Sequence, residues 1–156
     1  MGLISVSVEI DAPPTAVWTV IEPIERHVDW MTDARAIRFD NDQTRGVGTR
    51  FVCDTKVGPI TLADQMEITD WAPPNRMGVR HSGIVTGVGA FELEAIDRGR
   101  RTRFTWDEEL RFPWYLAGRL GETIGDPLVI KPIWRRNLRH LKNQIELLQV
   151  PARHQR

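Results

Sequence analysis

The 156-residue chain lacks the features that mark disulfide-bonded, metal-stabilised and membrane-spanning proteins. Cys53 is its single cysteine, so no intramolecular disulfide can form, and a cytoplasmic location is expected. The four histidines form no two-histidine helix motif and have no paired cysteines beside them, so we predict no metal site and no cofactor. The N-terminus has no basic start of a signal peptide, and no stretch approaches the ~20 apolar residues that span a bilayer. We therefore expect no integral membrane segment.

Net charge is also absent, because 21 basic residues balance 21 acidic ones. Proteins that bind nucleic acid usually concentrate positive charge and interleave it with stacking aromatic residues. The arginines at positions 98, 100, 101 and 103 cross a predicted turn without such aromatics, so we predict no nucleic acid partner. The glycine segments 46–48 and 87–89 do not open a helix and are therefore not dinucleotide-binding loops.

What the chain does contain is a series of short apolar segments, which predicts one domain over residues 1–150 and a polar tail at 151–156. Alternating apolar residues at 3–10 predict the first strand. Two short helical segments follow, the first ending at Pro23 and the second covering about 25–31. Six further strands are predicted at 34–40, 48–55, 60–70, 76–81, 85–96 and 101–112, joined by short turns that make the sheet antiparallel.

After Pro113 the apolar spacing becomes helical. From Ile130 to Leu148 the apolar residues step mainly by three or four, which predicts one helix of about five turns. Before this stripe and at its start, glycines and prolines, among them Pro127 and Pro132, spoil a continuous helix. Residues 113–132 are therefore predicted either as a broken helix start or as a mobile gate.

A sheet followed by one apolar-faced helix has to bury that helix on one face, and seven twisted strands curl around it. The predicted fold class is therefore α+β. If side chains do not fill the concave side of the sheet, an apolar pocket remains, which is the usual place for a small ligand.

A family resemblance is carried by five segments, namely 12–18 (APPTAVW), 27–30 (HVDW), 46–51 (GVGTRF), 71–76 (WAPPNR) and 138–146 (LRHLKNQIE). In this order they resemble the START-like superfamily, within its polyketide cyclase/dehydrase and lipid-transport group (SRPBCC), over residues 3–149. The resemblance implies a helix-grip (START-like/Bet v 1-like) fold with two short helices between strands one and two. It does not specify a function, because members bind lipids, cyclise polyketides, bind hormones or assist chaperones.

Glu108, His81 and Asp64 each interrupt an otherwise apolar strand face, and they are the predicted catalytic residues. The three faces consist of residues 104, 106, 108 and 110, then 77, 79 and 81, then 62, 64, 66 and 68. A carboxylate beside an apolar pocket has a raised pKa, and a pocket histidine transfers protons or fixes a ligand carbonyl. The alternative is that all three are satisfied rim or core groups, with Glu108 paired to an arginine such as Arg111 or Arg50.

Aromatic residues from several elements offer a lining for a flat or apolar ligand. Trp30, Trp106 and Trp134 belong to the second helix, the seventh strand and the long helix, which converge on the cavity of a helix grip. Plain core packing is the alternative. The predicted ligand-binding residues are Trp30, Trp106, Trp134, Phe104, Phe91, Met66, Leu120, Ile124 and Leu138.

Three functions stay open. The first is a carrier or sensor of a small hydrophobic molecule, lipid- or polyketide-like, as a monomer or a homodimer. The second is a cofactor-independent cyclase/dehydratase in which Glu108, His81 and Asp64 move protons. The third is a cochaperone-like interaction module. An open cavity favours the first, polar groups facing that cavity favour the second, and a filled interior favours the third.

Overall fold

A seven-stranded antiparallel sheet is the framework of the protein, which a computed structural model describes over residues 3–116 and 127–153. The strands lie in the order β1-β7-β6-β5-β4-β3-β2, so the first strand pairs with the last. Their bounds are β1 Ile4–Ile10, β2 Ala34–Phe39, β3 Arg50–Val57, β4 Ile60–Ala72, β5 Arg76–Ser82, β6 Thr86–Ile96 and β7 Arg101–Arg111. Each predicted strand is confirmed, with ends that differ by no more than two residues.

The helices also follow the predicted order. Helix α1 covers Pro14–Ile21, a 3-10 helix covers Ile24–Asp29, and the long helix α2 covers Pro127–Arg153. Two further 3-10 turns lie at Asp97–Gly99 and Trp114–Leu116. The predicted helix-grip, α+β arrangement is confirmed. None of the helices within the two described ranges has the length and hydrophobicity needed to cross a bilayer.

Helix α2 begins before its apolar stripe and continues through Pro132, so the interruption predicted at Pro132 is wrong. Pro127 is the first helical residue, where the missing N–H has no intrahelical partner in any case. Pro132 lies inside the helix, because burial of the stripe on both sides of it outweighs the hydrogen bond that one proline removes. Half of the segment predicted as a gate at 113–132, namely 117–126, lies outside the described residues.

The apolar stripe of α2 forms one side of the core and packs against β1. Its buried side chains recur at helical spacing, at Ile130, Trp134, Leu138, Leu141 and Ile145. Burial of each such side chain contributes roughly 1.5–3 kcal/mol, so this face supplies much of the stability that holds helix to sheet.

Polar contacts fix the helix in register. The side chain of Asn137 is fully buried, its Oδ1 accepts from the backbone N–H of Thr32 at 3.0 Å, and its Nδ2 donates to Oδ1 of Asp33 at 2.7 Å. Lys142 Nζ donates to the carbonyl of Glu9 at 2.8 Å. These hydrogen bonds connect α2 to β1 and to the loop before β2, and they fix the position of the helix on the sheet.

Close approach of β6 to β7 requires glycine at position 87. Gly87 has φ +136°, and a Cβ built there would lie 1.9 Å from the carbonyl oxygen of Glu109. No side chain fits at that distance from backbone. Gly99 also has positive φ, +80°, but a Cβ there meets nothing within 4 Å.

We expect Gly87→Ala to lower the free energy of unfolding by about 3 kcal/mol or more, because the methyl group overlaps the neighbouring strand. Gly99→Ala is the matched control and should cost only about 1 kcal/mol, for its backbone conformation alone. Urea unfolding of the two variants measures the difference. Equal losses would show that β6 and β7 do not approach so closely.

Candidate functional site

A cavity of about 140 Å³ lies between the curled sheet, the 3-10 helix Ile24–Asp29 and α2. At roughly 30 Å³ per water molecule this space holds about five of them, so it is smaller than the roughly 300–1,000 Å³ of pockets for drug-sized ligands and suits a small molecule. The wall is mainly apolar and includes Ile24, Met31, Ile37, Phe51, Leu62, Met66, Ile68, Met77, Val79, Val85, Phe91, Trp106, Leu110, Phe112, Ile130, Ile133 and Trp134.

Strand alternation determines which side chains reach this cavity, because every second residue of a strand faces the same side. Residues 62, 64, 66 and 68 of β4 line it, as do 77, 79 and 81 of β5 and 106, 108 and 110 of β7. The sequence predicted that the members of each of these sets share one face of the sheet. The three polar members, Asp64, His81 and Glu108, therefore all face the cavity.

The structure brings these three side chains into one hydrogen-bonded cluster. His81 Nδ1–H donates to Asp64 Oδ2 at 2.8 Å, and His81 Nε2–H donates to Glu108 Oε2 at 2.8 Å. Trp106 Nε1–H donates to the other oxygen, Glu108 Oε1, at 3.1 Å. Because both partners of the ring are carboxylate oxygens, both ring nitrogens carry a proton and His81 is an imidazolium.

Burial and the two carboxylates act on the pKa of His81 in opposite directions. Burial is the largest single influence and lowers it, but the hydrogen bonds and negative charges of Asp64 and Glu108 together outweigh burial. The pKa of His81 rises to about 10. The ring is therefore charged at neutral pH, and the cluster of two carboxylates and one imidazolium carries one net negative charge.

Glycines of β6 make the contact between His81 and Glu108 possible. β5 and β7 are separated by β6, so their spacing is roughly 10 Å. The β6 residues opposite His81 and Glu108 are Gly87 and Gly89, and a Cβ built on Gly89 would lie 2.5 Å from the carboxyl carbon of Glu108. The Glu108 carboxylate occupies the space that a side chain at position 89 would take.

Sequence reasoning missed Gly89 as part of the site. The pattern at 87–89 excludes a dinucleotide-binding loop, and no other role was assigned to it. A glycine inside a predicted strand is a signal that another group approaches the backbone closely, and that signal is present at both positions. It shows that something crosses β6, although it does not show what.

Four further polar residues on the wall were also missed, namely His27, Asp33, Cys53 and Thr55. His27 Nε2–H donates to the carbonyl of Ile21 at 2.7 Å, and burial lowers the pKa of His27 to about 4, so this ring is neutral. Burial raises the pKa of the Cys53 thiol to about 11. Asp33 lies in the loop before β2, where no alternation indicates which way a side chain points.

The sequence matches the family described as "Polyketide cyclase / dehydrase and lipid transport" over residues 1–146. The chain belongs to this family. Among functionally curated proteins, none matches the chain.

Solved structures with the same fold are distant in sequence. The protein TTHA0849 from Thermus thermophilus is 14% identical, with a TM-score of 0.75 over 94% of this chain and 99% of its own. Zhui aromatase/cyclase from Streptomyces sp. R1128 is 18% identical, with a TM-score of 0.72 over 93% of each chain. At these identities the similarity shows the fold alone.

In this polyketide cyclase/dehydrase and lipid-transport family member, four of the residues predicted to bind a ligand line the cavity, namely Trp106, Trp134, Phe91 and Met66. The Trp106 and Trp134 rings stack at 4.5 Å with an angle of 11° and join β7 to α2. Their role in binding stays a prediction.

The remaining predicted ligand residues lie elsewhere. Trp30, Phe104 and Leu138 are buried in the core and are not part of the cavity wall. Trp30 packs behind the wall, against Phe91 and Trp106. Leu120 and Ile124 lie outside the described residues.

The alternative pairing of Glu108 with an arginine is wrong. Arg50 Nε lies 3.7 Å from Glu67, and Arg111 lies 3.8 Å from Glu109, both on the outer face of the sheet. Among the described residues, no group of histidine, cysteine and acidic side chains is arranged to hold a metal ion. The cluster of Asp64, His81 and Glu108 is not a metal site either, because both nitrogens of His81 already donate to carboxylates.

The raised pKa of His81 makes stability depend on pH. A histidine has a pKa near 6.5 in the unfolded chain and about 10 here, so its contribution is complete below pH 6.5 and is lost as pH rises toward 10. We expect the free energy of unfolding to fall by a few kcal/mol across this window.

Glu108→Gln keeps the size of the side chain and removes one of the two charges that hold the proton. In this variant the loss should still begin near pH 6.5, which the unfolded chain sets, but it should end at lower pH and be smaller, because the folded-state pKa of His81 is lower. Urea unfolding at a series of pH values measures both profiles. Superimposable profiles for the wild type and the variant would contradict the assigned contact.

Proposed function

We propose that this family member binds a small hydrophobic molecule, lipid- or polyketide-like, in the cavity and acts as its carrier or sensor. The observation that carries this proposal is a largely apolar space between sheet and helix with one polar cluster on its wall. Burial of apolar ligand surface there contributes roughly 25 cal/mol per Å² before the cost of ordering. The polar cluster then orients the ligand, as a few placed polar groups do in ligand pockets.

The aromatic wall supports a flat ligand. The stacked rings of Trp106 and Trp134, together with Phe91, offer large rigid surfaces that contact planar molecules well. The fold shared with Zhui aromatase/cyclase is compatible with a polyketide-like molecule. An open cavity also makes the interaction module less favourable, since that function needs a filled interior and an exposed apolar patch.

Filling the cavity should abolish binding. We expect Leu62→Trp to weaken binding of the neutral fluorophore N-phenyl-1-naphthylamine by about tenfold or more, because Leu62 lines the cavity. Ala63→Trp is the matched control, since Ala63 lies next in the same strand and is exposed on the opposite face. The measurement is a fluorescence titration in which the fluorophore is excited directly, so that the added tryptophan does not contribute.

Unfolding midpoints in urea show whether each variant is folded. If Leu62→Trp does not fold, Val79→Phe takes its place, because Val79 also lines the cavity. Equal affinity of all folded variants, or no binding by the wild type, would contradict a ligand cavity.

A second candidate is a cofactor-independent cyclase or dehydratase. It is favoured by one observation, that Asp64, His81 and Glu108 all lie on the cavity wall. From the cavity wall, Glu108 would be the group to accept a proton from a ligand C–H. The geometry is less suited to the second half of such a step, because both N–H groups of His81 already donate to carboxylates and neither is free to stabilise an oxyanion.

Proton exchange separates binding from catalysis. The substrate is 1-tetralone, an apolar bicyclic ketone, dissolved in D2O. We expect deuterium to enter the position next to its carbonyl no faster with the wild-type protein than in buffer alone. Mass spectrometry of the recovered ketone gives this rate. Uptake that the wild type accelerates and Glu108→Gln does not would establish the enzyme instead of the carrier.

A further inference from the structure

The hydrogen-bond donors of the polar cluster are all used within the protein. Both N–H groups of His81 and the N–H of Trp106 point at carboxylate oxygens. Elsewhere on the wall, His27 donates to the carbonyl of Ile21. The Thr55 hydroxyl donates to Cys53 Sγ at 3.8 Å. The Cys53 thiol is a further donor, but S–H donates weakly. A ligand therefore finds few donors among the wall residues that the structure describes.

Acceptors, in contrast, remain available. Asp64 Oδ1 is buried and has no hydrogen-bond partner within residues 3–116 and 127–153. Each Glu108 oxygen accepts one hydrogen bond and has a second lone pair. A buried acceptor without a donor destabilises the folded protein, so a ligand that brings a donor to this end of the cavity gains more than apolar contact.

The charge of the cavity wall also favours a ligand that brings a hydrogen-bond donor. Asp64, Glu108 and Asp33 line the cavity with three carboxylates, and His81 is the one cation facing it among the described residues. Asp33 Oδ1 accepts from the neutral amide of Asn137, and no cation among the described residues pairs with this carboxylate. The wall thus carries two net negative charges. A negative ligand group would be repelled, with little solvent to screen it.

From the exhausted donors, the spare acceptors and the negative wall, we propose that the ligand is an apolar molecule that presents a hydroxyl or protonated amine to Asp64 and Glu108, and that the cavity rejects carboxylates and phosphates. This rests on the proposed binding function and narrows it. Free fatty acids and other anionic lipids are excluded as ligands. A site whose buried acceptors require donors discriminates strongly, because the wrong ligand leaves them unpaired beside a like charge.

A matched series of naphthalene compounds tests the proposal, because only the substituent changes. The probes are 2-naphthylmethanol, 2-naphthylmethylamine, 2-methylnaphthalene and 2-naphthoate, each competing with N-phenyl-1-naphthylamine at neutral pH. The alcohol and the amine should bind about tenfold or more tighter than the carboxylate, and tighter than the hydrocarbon.

Asp64→Asn identifies the residue responsible, because the amide is the same size, loses the charge and adds donors. Affinity for the amine should fall about tenfold, affinity for the carboxylate should rise, and affinity for the hydrocarbon should not change. Asp33→Asn should change the affinities for the amine and the carboxylate in the same directions, but by less. It replaces Asp64→Asn in the test if that variant does not fold.

The outcomes are distinguishable. Carboxylate binding as tight as that of the amine, or a ranking that neither variant changes, overturns the proposal while the cavity stands. Hydrocarbon affinity equal to that of the alcohol and the amine also overturns it. If no member of the series binds, the proposed binding function itself fails.

Discussion

The hydrogen bonds from His81 to Asp64 and Glu108 are the interaction on which the rest of the site depends. In an apolar wall an isolated carboxylate is costly, and two carboxylates near each other are costlier still. An imidazolium between them offsets most of that cost, and the N–H of Trp106 holds the outer oxygen of Glu108. The cluster is therefore stable as a unit and leaves acceptors, rather than donors, facing the ligand space.

The sheet makes this unit possible through its register. β6 separates the strands that carry His81 and Glu108, and it presents Gly89 where a side chain would take the space of the Glu108 carboxylate. Two glycines of β6 thus serve the backbone and the charge cluster, since Gly87 lets β6 and β7 approach and Gly89 leaves room for the carboxylate that reaches His81. Helix α2 closes the far side of the space through Trp134, which stacks on Trp106.

Period-two alternation predicted that Asp64, His81 and Glu108 face the same side, because one apolar phase runs through each strand. It did not predict that they touch, since contact depends on strand order and on which residues oppose each other. Asp33 lies in a loop without a periodic pattern, and Trp30 shares the apolar signal of cavity residues although it lies behind them. Local propensity was also insufficient at Pro132, because burial of the apolar stripe of α2 outweighs the effect of one proline on the helix.

The most direct test of this account is the protonation state of His81, read from the nitrogen chemical shifts of its imidazole by NMR and assigned by comparison with His81→Gln. Nδ1 and Nε2 should both carry protons at pH 8, and the ring should titrate with a pKa of about 10. A neutral ring with one protonated nitrogen at pH 8 would contradict it, because the two carboxylates would then not hold an imidazolium between them.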